Sequence, residues 1–343
     1  MSRGDLLKKL FQSYLRKNDE AFQSVALEII AEEQKKNNTL LAEELQKILA
    51  NHISNSVTVE PKYDLAALPK DKERQALLVE VRKTEHYLPD IILSKDNGEL
   101  VKEIIEDFQR AEILRSHGIK GRTKILLCGP PGCGKTLLAE VIAAELGLPI
   151  LYTRFDAIVS SYLGETSANM RKVFDYASRG LWLVFFDEFD AIGKSRDDPS
   201  EHGELKRVIN SFLQLLDGFQ GNSLVIAATN YEGLLDFALW RRFDEILRLE
   251  KPTIQEIQTL LVKKLGSVPH PEINPKAVAK RLKGLSHAEV ERICYGAIRL
   301  SILRDLSTIS FKLFDEAVRR EKRRLKIIGQ AAKRIENSRE LSE

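Results

Sequence analysis

Residues 124–136 read Lys-Ile-Leu-Leu-Cys-Gly-Pro-Pro-Gly-Cys-Gly-Lys-Thr, and this stretch constrains the fold more than any other. The apolar run Ile125 to Cys128 stops at Gly129. Gly129, Gly134, Lys135 and Thr136 then fill the spacing G-x-x-x-x-G-K-T, and an apolar, helix-forming segment follows from Leu137 to Leu146. Strand, glycine loop and helix in this order is the context that a phosphate-binding loop requires. Glycines let backbone N–H groups turn towards an anion with no side chain in the way. The helix starting near Lys135 adds the positive end of its dipole. Lys135 can reach outer phosphates, and the Thr136 hydroxyl can ligate Mg²⁺. The alternative, a glycine-rich turn with no ligand, does not need every motif position filled.

Two further apolar runs complete the argument. Trp182-Leu183-Val184-Phe185-Phe186 reads as a strand covered on both faces and ends in Asp187-Glu188. A carboxylate at the end of a buried strand beside a phosphate loop is placed to hold Mg²⁺, directly or through water. Glu188 can then orient and deprotonate an attacking water. Leu224 to Asn230 reads as another buried strand, with Asn230 at its C-terminal end, where ligands sit in open α/β sheets. Asn230 can bond the attacking water or the terminal phosphate. Leu235 to Asp244 carries two adjacent arginines, Arg241 and Arg242. Either is a candidate finger reaching a neighbouring subunit's nucleotide.

The expected fold class is α/β: a parallel sheet flanked by helices, with a C-terminal helical lid and a small N-terminal helical bundle. Apolar residues recur at helical spacing in three sets within residues 1–52, which predicts three helices in a small bundle; its dense charged faces read as an ordinary solvated surface or, in the sharper alternative, as a domain for client or partner docking. Residues 53–75 lose any period and read as a linker. Residues 76–252 form the sheet domain, with a helix expected over Glu99–His117. Residues 253–328 form the lid, with helices over Ile254–Leu265, Pro275–Leu282, Ser286–Arg304 and Ser310–Lys326. Residues 329–343 are expected to be a polar, fraying tail.

Composition narrows the function. The 343 residues carry a net charge of only +3, so no polyanionic partner is demanded overall. The basic run Arg319 to Lys326 reads as a solvated helix face rather than a nucleic-acid site. Cys128, Cys133 and Cys294 lack zinc-ligand spacing, and so sparse a count fits a reducing cytosol. No apolar run approaches the roughly 18 residues of a membrane span, and the first residues lack the apolar core of a signal peptide. A cytoplasmic protein is expected.

From about residue 88 to 323 the chain resembles the AAA ATPases, P-loop NTPases that work mostly as ring hexamers. The resemblance rests on Gly129–Thr136 (Walker A), Phe185–Glu188 (Walker B), Ala228-Thr229-Asn230 (sensor 1) and Leu235–Asp244 (arginine-finger region). Ser161-Tyr162-Leu163-Gly164-Glu165 and Gly284-Leu285-Ser286-His287-Ala288-Glu289 add to it. It implies ATP and Mg²⁺ as cofactors. Gly129, Pro130, Pro131, Gly132, Cys133, Gly134, Lys135, Thr136 and Leu137 would cradle the nucleotide, and Gly284 and Ala288 would approach it from the lid. Thr136 and Asp187 would serve the metal, Glu188 would activate water, Asn230 would act as sensor, and Arg241 and Arg242 would act in trans. Tyr162, Leu163 and Gly164 match an aromatic–hydrophobic–glycine loop that grips a threaded polypeptide.

Some positions depart from the family pattern. The Pro-Gly usual between the two arginines is missing, as in microtubule-severing relatives. Cys133 often has a threonine in its place, and a thiol there makes the site a candidate for oxidation. Ile91-Ile92-Leu93 replaces the usual Ile-Gly near the adenine, and Lys264 stands where a lid histidine often lies near the ribose. His287 has no catalytic partner in the sequence and is expected on the lid surface or in its core.

The resemblance implies ATP hydrolysis driving the remodelling, unfolding or translocation of a protein substrate through the pore of a homo-oligomeric, hexameric ring. The chain also resembles compact bacterial members, some of which act beside a separate serine protease in stability or phage-defence modules, so a separate protease is a candidate partner. Neither His-Glu-x-x-His nor Gly-x-Ser-x-Gly occurs, so any proteolysis would come from a partner. The alternative function is a nucleic-acid-acting or signalling ATPase switch.

Overall fold

The computed structural model describes residues 25–30, 68–72, 75–153, 158, 163–188, 199–230 and 240–340, together with Leu6, Lys9, Asn38 and Leu45. The chain divides into two units, Met1–Tyr63 and Asp64–Glu343. In the first, residues 25–30 are helical, Leu6 is buried, and Ala26 and Leu45 pack against buried Ile30. Part of one of the three expected helices is thus present; most of the other two lies outside the described residues.

The second unit contains a six-stranded sheet. Its strands are β1 (Val79–Arg82), β2 (Lys124–Cys128), β3 (Ile150–Thr153), β4 (Leu183–Phe186), β5 (Leu224–Thr229) and β6 (Glu245–Arg248), in the order β1-β3-β4-β5-β2-β6. Only β1 runs antiparallel, pairing Val79 with Thr153 on the edge. Helices α1 (Lys95–Gln109), α2 (Ala111–Ser116), α3 (Lys135–Leu146), α4 (Leu163–Ala177) and α5 (Pro199–Gly218) connect and cover the strands. Every residue of β2, β4 and β5 is buried, which is why these strands read as continuous apolar runs and not as alternating ones. Val101, Ile104 and Ile105 of α1 and Leu138, Ala139 and Ile142 of α3 join the core against them. Because β2, β4 and β5 are parallel neighbours, Gly129, Asp187 and Asn230 all emerge at one edge of the sheet.

The lid comprises α6 (Ile254–Leu265), α7 (Pro275–Leu282), α8 (His287–Leu303) and α9 (Phe311–Glu340). Its starts are written in the sequence. Thr253 with Glu256, and Ser286 with Glu289, form reciprocal capping boxes. Asn274 caps α7, with Pro275 in the first turn. Leu261, Leu265, Val290, Ile293, Ala297 and Phe314 build a separate lid core.

Three boundaries differ from the sequence reading. The stretch read as one helix over Glu99–His117 is two, broken at Arg110. The segment read as a linker to residue 75 is already folded near its end: Asp71 is 3% exposed and accepts a 2.6 Å hydrogen bond from Asn169 of α4, while the Leu78 N–H donates to the Pro69 carbonyl. That contact spans 98 residues of chain, so local composition does not reveal it. Finally, α9 continues to Glu340, through the residues expected to fray. Residues 329–340 are polar but rich in Ala, Lys, Arg, Glu and Gln, all strong helix formers.

Candidate active site

The turn after β2 is built for close approach. Gly129 has φ +136°, and a Cβ there would lie 2.0 Å from the Leu249 carbonyl oxygen, so no other residue fits. Gly132, at φ +75°, sits against the lid: a Cβ would meet Ser286 Oγ at 2.9 Å and the Ala288 Cβ at 3.2 Å. The Ala288 N–H donates to the Gly132 carbonyl at 3.0 Å. Gly134 caps α3, so the first N–H groups of that helix open into the loop. Lys135 is buried and folds back into the loop, donating to the carbonyls of Gly129 and Pro130 at 2.7 and 3.0 Å.

Asp187 gathers the neighbouring elements. Its Oδ2 accepts from Thr136 Oγ1 at 2.9 Å and from the Tyr152 hydroxyl at 3.0 Å. Its Oδ1 accepts from the Glu188 N–H at 2.9 Å. Burial and the Asp187 carboxylate push the Tyr152 phenol up to about 12, so it keeps its proton and donates. The Arg82 guanidinium of β1 lies 3.9 Å above the Tyr152 ring. Glu188 is exposed and has φ +49°, a left-handed conformation that a side-chain-bearing residue seldom adopts.

These groups border a cavity of about 360 Å³ between the loop, the sheet edge and the lid. Pro131, Gly132, Cys133, Gly134, Lys135, Thr136 and Leu137 line it with Asp187, Glu188 and Asn230. Ile91, Ile92, Leu260 and Lys264 also line it, with Asp90, His287, Ala288 and Glu291. Ile91 and Ile92 thus reach the cavity although the family's Ile-Gly pair is absent. Gly129 and Pro130 lie behind it as acceptors for Lys135.

Several expectations need correction. Gly284 does not line the cavity: at φ +92° it turns the chain between α7 and α8, and its carbonyl accepts from Lys251 at 2.8 Å. Cys133 is buried and burial pushes its thiol up, which disfavours the thiolate that oxidation requires. Leu163 and Gly164 belong to the first turn of α4 and not to the loop before it; Glu165 in that turn suits the helix dipole. Tyr162 lies outside the described residues. Arg241 and Arg242 are exposed and neither lines the cavity; Arg242 is ion-paired with Asp217 of α5.

Sequence reading gave no site role to Asp90, Tyr152, Leu260, His287 or Glu291. Burial lowers the pKa of the Lys264 ammonium, but its ion pair with Glu291 and its contact with Tyr295 together raise it above the ordinary value. His287 is half-buried, and its two ring nitrogens are inaccessible and without a hydrogen-bond partner. Burial holds its pKa below the ordinary value, against a smaller opposing influence of Glu256.

A family model described as "ATPase family associated with various cellular activities (AAA)" matches residues 125–251. Over 324 residues the chain is 45% identical to an uncharacterized AAA family ATPase of Sinorhizobium fredii, covering 94% of this chain and 97% of that one. The chain belongs to the AAA ATPase family. This AAA ATPase is also 32% identical over 249 residues to the ATP-dependent zinc metalloprotease FtsH of Mycoplasmopsis synoviae, covering 70% of this chain and 38% of that protein. Against FtsH 3 of Sphaerobacter thermophilus the identity is 35% over 246 residues, covering 70% and 50%. The chain therefore spans half or less of the length of these two metalloproteases. Among the described residues of the AAA ATPase no group of three or more His, Cys, Asp or Glu side chains is arranged to hold a metal ion, and no helix is long and apolar enough to cross a membrane. Membership of the family makes the protein an enzyme that hydrolyses ATP to ADP and phosphate.

Proposed function

We propose that the protein couples ATP hydrolysis to remodelling of a polypeptide, as a cytoplasmic, homo-oligomeric ring. The observation that carries the ATP half is the meeting of Lys135, Thr136, Asp187, Glu188 and Asn230 around one cavity at the sheet edge. The loop suits a triphosphate: its glycine backbone is open, the first N–H groups of α3 face it, and Lys135 is held beside it by carbonyls that an anion can replace. The donors at Thr136 and Asp187 are all oxygens, the set that a hard cation such as Mg²⁺ takes. Bound there, Mg²⁺ would neutralise charge on the outer phosphates.

In this reading Glu188, exposed at the cavity, takes the proton of the attacking water, and Asn230 orients that water or the terminal phosphate. A neighbouring subunit supplies an arginine, which adds about 10³–10⁵ in turnover in related phosphoryl-transfer enzymes. The remodelling half is supported by similarity to ATP-dependent metalloproteases over about two thirds of the chain. Residues 1–52 select the client, Tyr162 grips it, and any peptide cleavage belongs to a separate protease partner. The nucleic-acid alternative gains nothing from the basic run of α9. Arg319, Arg320 and Arg324 are engaged with Asp315, Glu316 and Glu321 of the same helix, as expected of a solvated helix face, although each of these carboxylates also takes a second arginine, Arg281, Arg304 or Arg292.

The test is mass in solution of the Glu188→Gln protein with and without ATP. A shift to about six subunits on adding ATP, with wild-type turnover stimulated by unfolded protein and that stimulation lost in Tyr162→Ala, is expected. A monomer at every concentration removes the ring reading.

A further inference from the structure

Asp187 is held from two sides on one oxygen. Thr136 donates to its Oδ2 from the start of α3, and the Tyr152 hydroxyl donates to it from β3. Thr136 is placed by the phosphate loop; what places Tyr152 lies on the edge strand. The antiparallel pairing of β1 with β3 sets Glu80 opposite Tyr152, and Arg82 opposite Ile150 on the same face of the strand. From there the Arg82 guanidinium reaches 3.9 Å above the Tyr152 ring, while its Nη2 donates to Glu80 at 2.8 Å. On the other side of β3, Phe185 of β4 is paired with Tyr152 and meets its ring edge-on, with the centroids 5.6 Å apart. A cation from one neighbouring strand and an aromatic edge from the other thus hold the ring. A functional group has to sit within about 0.5 Å of its productive position, and neighbours that lock its rotamer supply that precision. The tilt of the Tyr152 ring decides whether its hydroxyl meets Asp187.

We infer that Arg82 is a positioning residue for the Asp187 carboxylate, acting through the Tyr152 ring that it clamps. Arg82 is half-buried and does not line the cavity, so it touches neither nucleotide nor metal. Glu80 keeps the guanidinium over the ring and out of solvent. The inference rests on the reading of Asp187 as a Mg²⁺ ligand and extends that site to β1, which lies ahead of the residues that the family model matches.

The experiment measures equilibrium binding of ADP to the full chain over a range of Mg²⁺ concentrations and without Mg²⁺. The proteins compared are the wild type, Arg82→Met, Arg82→Lys, Tyr152→Phe and the double variant Arg82→Met, Tyr152→Phe. ADP avoids turnover, and methionine keeps an unbranched stem without the charge. In Arg82→Met the Mg²⁺ concentration that half-saturates the ADP complex is expected to rise about threefold, the worth of one partly exposed cation–ring contact. ADP affinity without Mg²⁺ is expected to stay unchanged. Arg82→Lys keeps a cation and is expected to stay nearer the wild type than Arg82→Met. The double variant is expected to match Tyr152→Phe alone, because a clamp on a ring that no longer donates sets nothing. An unshifted Arg82→Met, an equal loss without Mg²⁺, a lysine variant no better than methionine, or effects that multiply in the double variant each overturn the role of Arg82 and leave Asp187 a metal ligand. ADP binding by the wild type that does not respond to Mg²⁺ overturns the metal reading itself. Should Arg82→Met not fold, as judged by circular dichroism, Arg82→Gln takes its place in the same comparison.

Discussion

The hydroxyl of Tyr152 donates to Asp187 at 3.0 Å, on the same Oδ2 that accepts from Thr136 at 2.9 Å. A residue from a neighbouring strand therefore sets the carboxylate that faces the phosphate loop. Outer contacts of this kind commonly matter tenfold or more for a metal site. In Tyr152→Phe the Mg²⁺ concentration for half-maximal turnover is expected to rise about tenfold, with nucleotide affinity measured without Mg²⁺ unchanged. Equal loss in both measurements would mean that the hydroxyl only supports packing.

Arg242 is tied to Asp217 of its own subunit, and both side chains are partly exposed. Such a pair contributes at most about 1 kcal/mol. Asp217→Asn should therefore lower the urea midpoint only slightly. A trans finger makes a different demand. Neither Lys135→Ala nor the double variant Arg241→Ala, Arg242→Ala should turn over ATP alone, but mixing them should restore part of the activity, because each supplies what the other lacks. No recovery on mixing would confine the arginines to local roles.

Asn169 and Asp71 are both nearly inaccessible, and Lys172 closes the group by donating to Asn169 Oδ1 and to the Lys70 carbonyl. Asp71→Ala strands the Asn169 amide, which costs about 1–3 kcal/mol. Urea unfolding should show the loss, and Asp71→Asn should recover part of it.

His287 predicts a pH dependence whose sign is fixed. Its pKa is lowered in the folded protein, so as pH falls below about 6.5 the unfolded chain takes up a proton before the folded chain does. The unfolded state then binds more protons, and stability falls with pH in that window; above it His287 contributes no slope. The urea midpoint of His287→Phe should accordingly fall less than that of the wild type between pH 7.5 and 6. Parallel profiles would refute this assignment of the proton.

Much of the site is written locally. The glycine loop, the buried strands ending at Asp187 and Asn230, and the lid starts at Thr253, Asn274 and Ser286 rest on motifs or caps a few residues long. What the sequence hides is short or distant. β1, β3 and β6 have four residues each in the structure, too few for a period to declare itself. Tyr152 acquires its role from a carboxylate 35 positions away, and Asp71 from an amide 98 positions away. His287 follows a cap and so reads as an ordinary first-turn residue; its ring nitrogens become buried and unpartnered only in the folded lid. The end of α9 is helical although its polarity suggests a fraying tail, because helix propensity there comes from unbranched side chains.

The contact of Gly132 with Ser286 and Ala288 has a mechanical consequence. The loop has no slack against the lid, since the glycine's missing side chain is the clearance between them and a backbone bond bridges the gap. Any displacement of the loop when a phosphate arrives or leaves is therefore delivered at the root of α8, the fixed end of a lever some seventeen residues long. Because α8 is packed along its length into the lid core, a push at its root is passed to the lid as a body. Gly132 is thus the hinge pin between phosphate loop and lid.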